Sequence, residues 1–286
     1  AKYFSKESRK DKKDMYADFV KKGYQIARNK KDLENHTKLL PLLGVFAEDA
    51  LPYSIERNND RDLQNNTPTL AEMTATAINR MKAHPEGFVL QVEAGKVDWA
   101  AHANDIAGLL YDQLALDEAI KVAIDFAEKD KNTLVIITTD HGNANPGVVS
   151  GKYADKNFDS IQHYKHNNEW ILNSIHSSST TNQVQEIVKF ANGIDLPEES
   201  AKELLTYYSG LDKQEDGLYN YRKLPFNTYS KMQFKYNSVN WISMDHSADY
   251  VELAMFGPGS QLLKPFIKNT DLHYLMLEAA EIENKF

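Results

Sequence analysis

The chain has no cysteine among its 286 residues. Disulfides and thiolate metal sites are thereby excluded, although the compartment is not fixed. Basic residues are in the minority: 33 Lys and Arg stand against 41 Asp and Glu, for a net charge of −8. No basic cluster is dense enough to track a phosphodiester backbone, which excludes nucleic acid as a partner. Long apolar runs are missing too. None approaches the roughly 20 residues of a membrane span, so no membrane partner is expected. No signal peptide is legible at Ala1, and the abrupt opening Ala1-Lys2-Tyr3-Phe4 leaves room for a leader, or more, ahead of it. What is present suffices for a core. At 42 % hydrophobic, the length fits one large domain or one domain with a sizeable insertion.

Hydrophobic patterning divides the chain. A helix is predicted near Asp11–Lys22, stopped by Gly23, with a strand at Tyr24–Ala27 and a second apolar run at Leu39–Phe46. The polar stretch from Pro52 to Asn66 reads as loop. Thr67-Pro68 opens a helix with Pro at its first position, or Thr69 and Glu72 form a capping box instead. That helix runs to about Ala83. Phe88–Val92, between Gly87 and Gly95, reads as a buried strand, Asp105–Glu128 as the clearest helix, and Leu134–Ile137 as a fully buried strand. Strand, helix, strand is a βαβ unit, which predicts a parallel pair with a right-handed crossover. Residues 151–235 turn rich in Lys, Asn, Ser and Tyr, with helices expected at Asp159–Ile175, Thr181–Ala191 and Pro197–Tyr208. They read as a helical insertion in an α/β core made of 1–150 and 236–286. Tyr250–Phe256 is a final strand, closed by Gly257-Pro258-Gly259.

Chemistry concentrates after the two central apolar runs. Glu93, Asp98 and His102 follow the first, Asp140 and His141 follow the second, and His246 precedes the last strand. Three carboxylates and three imidazoles are ligand chemistry for a cluster of divalent metals; the mixture suits zinc, with magnesium or manganese at the oxygen-rich end. In open α/β sheets, sites form outside the carboxyl ends of strands. Asp98 and His102 are four apart, so one helical turn puts them on one face. His246 completes a three-ligand site with an open position. Asp140 and His141 are adjacent and point apart at a strand end, which suits a bridge between neighbouring ions. Glu93 holds a third, harder cation. Neighbouring metals clamp an in-line phosphoryl transfer. Taken singly, an Asp-His pair is usually a surface or capping feature; the combination reverses that reading. His163, His166 and His176 read as a solvated helix face, His36, His84 and His273 have no partner pattern, and Trp170 reads as packing.

The motifs resemble the alkaline phosphatase family. The match runs through Val92-Glu93, Gly95, Asp98, His102 and Asn104-Asp105, then Leu116-Asp117-Glu118-Ala119, then Asn132 to His141. It resumes at His246-Ser247, Asp249, Gly257-Pro258-Gly259 and Asn269-Thr270-Asp271, and Pro68–Thr74 fits as well. The resemblance covers about two thirds of the chain and omits the insertion. It implies a three-layer α/β/α sandwich and hydrolysis of phosphate monoesters through a phospho-Ser or phospho-Thr intermediate. Asp98, His102 and His246 are implied as ligands of one Zn²⁺, Asp140 and His141 as part of a second, and Glu93 as a ligand of Mg²⁺. A homodimer in the periplasm or secreted medium is implied as well.

Three departures qualify the resemblance. The family's N-terminal portion, with its opening Asp ligand, Asp-Ser-Ala-like nucleophile motif and phosphate-binding arginine, has no counterpart here. The chain is therefore expected to be a fragment whose nucleophile lies upstream of residue 1. Asp159-Ser160 is the nearest local echo and reads as a helix start. After His141 stands Gly142-Asn143 in place of the family's Glu-Thr, an Asp-His-Gly-Asn run similar to manganese-dependent phosphoglycerate mutases. Trp99 stands where other members carry Lys or His, which weakens charge stabilisation of bound phosphate. A phosphomutase or phosphodiesterase of the same superfamily, and a non-catalytic metal-binding module, are the alternatives.

Overall fold

The computed structural model describes residues 1–36, 39–214 and 217–283. Helix α1 (Met15–Lys21) starts where the Asp14 carboxylate accepts from the Ala17 amide, and ends at Gly23, φ +84°. Strand β1 (Gln25–Ala27) is followed by α2 (Lys30–Asn35) and pairs in parallel with β2 (Leu42–Gly44). The stretch expected as loop is helical instead, as α3 (Ser54–Asn59) and α4 (Arg61–Asn66). Asp60 breaks them apart by capping α4 through the Asp62 and Leu63 amides. Ile55, fully buried, anchors α3 in the core, which the polar composition concealed.

Helix α5 (Leu70–Met81) opens with the capping box and not with Pro68. Glu72 N–H donates to Thr69 Oγ1 at 3.1 Å, and Thr69 N–H donates to Glu72 Oε2 at 2.9 Å. Lys30 reaches the same carboxylate at 2.5 Å. Removing a Thr cap costs about 1 kcal/mol. Thr69→Ala is thus expected to lower Tm by roughly 2 °C in a protein of this size, read by scanning calorimetry. An unchanged Tm would mean that the Lys30–Glu72 pair holds the helix start unaided.

Phe88–Val92 joins no ladder among the described residues. Its side chains alternate between exposed and half-buried, Val89 being 89 % exposed. Phe88 leans on Phe126 of the long helix, with ring centroids 6.2 Å apart, so one flank is covered and the other open. The short helix α6 (Gly95–His102) and the long α7 (Ile106–Asp130), capped by Asp105, follow. Then come β3 (Val135–Thr138), β4 (Gly142–Asn143) and β5 (Pro146–Val148). β3 is half-buried rather than fully buried.

The predicted helix Asp159–Ile175 is divided into α8 (Ala154–Asp159), a 3-10 turn at Ser160–His163, and α9 (Asn168–Ser174) capped by Asn167. Ser160 is the start of that turn, its hydroxyl bonded to the Asn157 carbonyl. α10 (Thr181–Asn192) and α11 (Glu198–Thr206) agree closely with expectation. α12 (Phe226–Asn237) was not expected; it buries Phe226, Tyr229, Ser230, Gln233 and Asn237 on one face, and three of those five are too polar to register as an apolar stripe. The chain closes with β6 (Val239–Trp241), β7 (His246–Ser247), β8 (Leu253–Phe256) and α13 (Asp271–Ala279).

The predicted parallel pairing about α7 does not form. β3 pairs with β8, antiparallel, Val135 opposite Phe256. β4 pairs with β7 and β5 with β6, also antiparallel, so that Asn143 faces His246 and Pro146 faces Trp241. Gly257 turns the chain out of β8 at φ +101°, where a side chain would run into the Thr133 carbonyl at the foot of β3. Behind these ladders lies one continuous core. Ile161, Ile171, Leu172, Val184, Val188, Leu204, Tyr208 and Tyr229 are buried in it with Ile55, Ala100, Ala103 and Ile106. Ala100 and Ala103 are on or beside α6, so the helix bearing Asp98 and His102 is backed by this core. No helix among the described residues is long and apolar enough to cross a membrane.

Candidate metal centre

Four of the six sequence-predicted residues meet. α6 presents Asp98 and His102 on one face, as their spacing requires, with Asp98 Oδ2 3.5 Å from His102 Nε2. The β4–β7 ladder brings His246 in from the other side: its Nε2 lies 3.1 Å from His102 Nε2 and 3.9 Å from Asp98 Oδ1. His141, just before β4, stacks on His246 with centroids 3.6 Å apart. Asp98, His141 and His246 each bring a ligand atom within 4.8 Å of the others.

The ring orientations fit a cation. His102 Nδ1 lies 2.6 Å from the Met244 carbonyl and His141 Nδ1 lies 3.2 Å from the Gly142 carbonyl. A carbonyl only accepts, so each Nδ1 carries the proton and donates. With Nδ1 donating, His102 Nε2 is left to accept and is the atom that faces His246, while His141 Nε2 faces the Asp140 carboxylate. Metal-binding histidines are oriented in this way, the second ring nitrogen donating to a carbonyl or carboxylate. His246 Nε2, 3.1 Å from His102 Nε2, meets that nitrogen either with a proton to donate or across a cation that both rings hold.

Asp140 meets this group at His141, whereas Glu93 stands ahead of α6. Asp140 is exposed and bends back on its neighbour, Oδ2 lying 3.2 Å from His141 Nε2, so the two adjacent side chains converge instead of pointing apart. Glu93 is exposed ahead of α6, its carboxylate folded over Gly95.

The Alkaline phosphatase family model matches residues 1–282. Alkaline phosphatase 4 of Bacillus subtilis is 32 % identical over 266 residues, covering 92 % of this chain and 53 % of the relative. Alkaline phosphatase 3 of the same organism is 29 % identical, covering 96 % and 56 %. Among solved structures, Thermus thermophilus alkaline phosphatase superposes with a TM-score of 0.88 at 30 % identity, over 99 % of this chain and 61 % of that one. The chain belongs to the alkaline phosphatase family. Its fold is the alkaline phosphatase-like α/β fold, and it spans about half the length of the curated relatives it matches.

Within this alkaline phosphatase fold, residues that the sequence had not marked as site residues hold the candidate ligands in place. Asn143 Nδ2 donates to Asp98 Oδ1 at 2.6 Å and fixes the carboxylate. The Gly142-Asn143 departure from the family pattern was the signal for it. On the flank of α6 away from the histidines, Lys96 lies between the Tyr53 and Trp99 rings, 4.2 Å from each centroid. Burial lowers its pKa, against the pull of the Glu169, Asp112 and Asp49 carboxylates. Burial raises Glu169 and Asp112 in turn. His166 does not lie on a solvated face: it bonds Glu56 at 2.7 Å and stacks on Trp170 at 3.7 Å, so both rings serve packing between α3 and α9. His36 has a partner set of its own, in Gln25 and the Ile26 carbonyl.

Proposed function

We propose that this chain carries the metal-binding part of a phosphate monoester hydrolase of alkaline phosphatase type, working through a phospho-Ser or phospho-Thr intermediate. The convergence of the His102 and His246 Nε2 atoms on Asp98, with His141 beside them, carries the reading. Asp98, His102 and His246 would hold one Zn²⁺, Asp140 and His141 a second, and Glu93 an Mg²⁺. Bound there, the metals supply charge stabilisation for an in-line phosphoryl transfer and lower the pKa of an attacking hydroxyl or water. The chain's own residues set the geometry. Met244 and Gly142 orient two imidazoles, Asn143 holds the carboxylate, and the Lys96 ammonium adds positive charge behind α6.

The relatives named as alkaline phosphatases support phosphomonoesters as the substrate class. A homodimer, and a periplasmic or secreted location, belong to the same reading. So does the division into a core of 1–150 and 236–286 with 151–235 inserted, an insertion that shares its apolar core with α3, α6 and α7.

The test is hydrolysis of a chromogenic phosphate monoester at alkaline pH with zinc and magnesium, by the full chain and by the same chain stripped with chelator. No residue of this chain is assigned as the nucleophile, so zinc binding that the chelator removes is the expected result; turnover that vanishes with the chelator would mean that the nucleophile is a metal-bound hydroxide or an unassigned residue of this chain. Zinc binding without turnover fits this reading and a non-catalytic metal-binding module alike, and a chain that binds no zinc would overturn both. Phosphate transfer between positions of a phosphosugar, driven by manganese, would favour the phosphomutase alternative.

A further inference from the structure

The end of α6 leads into a buried polar cluster that the proposed chemistry does not use. Asn104, two residues after His102, is 1 % exposed and stands at φ +46°. Asparagine enters that left-handed region more readily than most side chains. Its backbone N–H donates to the Ala101 carbonyl at 2.9 Å, and its Nδ2 donates to the Ser243 carbonyl at 2.7 Å. Its Oδ1 accepts from Asn227 Nδ2 and its carbonyl from Asn168 Nδ2, both at 3.3 Å. Asp105 is also buried. It accepts from the Gly108 amide at 3.0 Å, capping α7, and from the Asn168 amide at 2.7 Å, at the start of α9. Gln233 of α12 completes the set by donating to Asn168 Oδ1 at 3.0 Å.

Ser243 lies in the loop that presents His246. The next carbonyl, of Met244, takes the proton of His102 Nδ1. On its other side, the loop is bonded to Ala144, whose N–H donates to the Asp245 carbonyl at 2.9 Å and whose carbonyl accepts from Ile242 at 3.1 Å. Loop 242–245 therefore has three supports: the Ala144 backbone, the His102 ring and the Asn104 amide. The third leads through Asn168, Asn227 and Gln233 into α9 and α12. Buried polar groups of this kind hold one arrangement, because each alternative strands an unpaired donor or acceptor.

We infer that Asn104 and Asp105 are positioning residues for the metal centre, and that α9 and α12 brace it by fixing where His246 stands against His102. The inference rests on the reading of Asp98, His102, His141 and His246 as metal ligands. Asn104→Gly tests it in the full chain, since glycine keeps the left-handed backbone and removes only the amide. Hydrogen exchange of the Ala144, Ile242 and Ser243 amides is expected to quicken by about tenfold, as for one lost hydrogen bond, with α12 unchanged. Zinc affinity, by chelator competition, is expected to fall about 10- to 100-fold with circular dichroism preserved. Asn227→Ala, one bond further out, should move both readouts in the same direction by less, and it carries the test if Asn104→Gly fails to fold. Zinc affinity within about twofold of the parent would overturn the inference, because a merely structural hub leaves it unmoved. If the parent and His246→Ala bind zinc equally, the ligand reading itself fails; the exchange rates then decide alone whether Asn104 fixes the loop.

Discussion

Asp98→Ala is expected to lower zinc affinity by about 100-fold or more and to release one zinc ion per chain. Substitutions in the shell around a metal ligand cost about 10- to 100-fold, and removal of a ligand exceeds that. Asp98 lies within 3.5 Å of His102 and 3.9 Å of His246, while the Asp140 carboxylate reaches His141. Without it, a dication held by His102 and His246 would lose the carboxylate that lies beside both rings. The fold should survive, because Asp98 is part-exposed and the hydrogen-bond donor to its carboxylate is the Asn143 amide, which then meets solvent. Metal analysis after gel filtration, with circular dichroism as the control, reads the result. Full zinc content in a folded Asp98→Ala protein would place the metal elsewhere.

The candidate residues of this centre stood out in the sequence because several of them come as short local motifs. Asp98 and His102 need only one helical turn to share a face, and His141 follows the apolar run Leu134–Ile137, whereas His246 comes in on β7, which carries no apolar residue. The residues that hold these ligands were harder to read. Asn143, the Met244 carbonyl and Asn104 act through positions fixed by the β4–β7 ladder and loop 242–245, which join segments some hundred residues apart. A backbone carbonyl leaves no mark in a sequence at all.

The same contrast runs through the fold. The start of α5 was legible, since a capping box is a four-residue signal, and α7 was legible from its long apolar spacing. Pairing was not. An apolar run such as Leu134–Ile137 identifies a strand but not its partner, and the partner of β3 proved to be the distant β8. Phe88–Val92 has the composition of a buried strand, yet Val89 is exposed and the run joins no ladder among the described residues. α3 and α12 were concealed for the opposite reason. Each buries one apolar anchor or a mixed polar face, satisfied by tertiary hydrogen bonds that binary patterning does not register.

Asp105 predicts how stability depends on pH. Burial raises its pKa from 3.8 to about 7, against two amide donors that favour the charged form, while the carboxylates of Glu56 and Glu169 add to the rise. The folded protein thus keeps this proton up to about pH 7, whereas the unfolded chain releases it near pH 4. Between those values the folded state binds more protons, so stability falls as pH rises and levels off above about 7. A separation of about three pH units, at about 1.4 kcal/mol each, makes the loss on the order of 4 kcal/mol. Asp105→Asn removes the titration and keeps the shape. In urea unfolding of metal-free protein below the unfolded pKa, at about pH 3, the variant should be less stable than the parent by about 1 kcal/mol, the loss of one hydrogen bond. At pH 8 the order should reverse, because the parent alone then buries a charge. Glu169 and Asp112, also raised by burial, leave a residual slope of the same sign in both proteins. Parallel pH profiles for parent and variant would mean that the two amides at Gly108 and Asn168 compensate the buried charge in full.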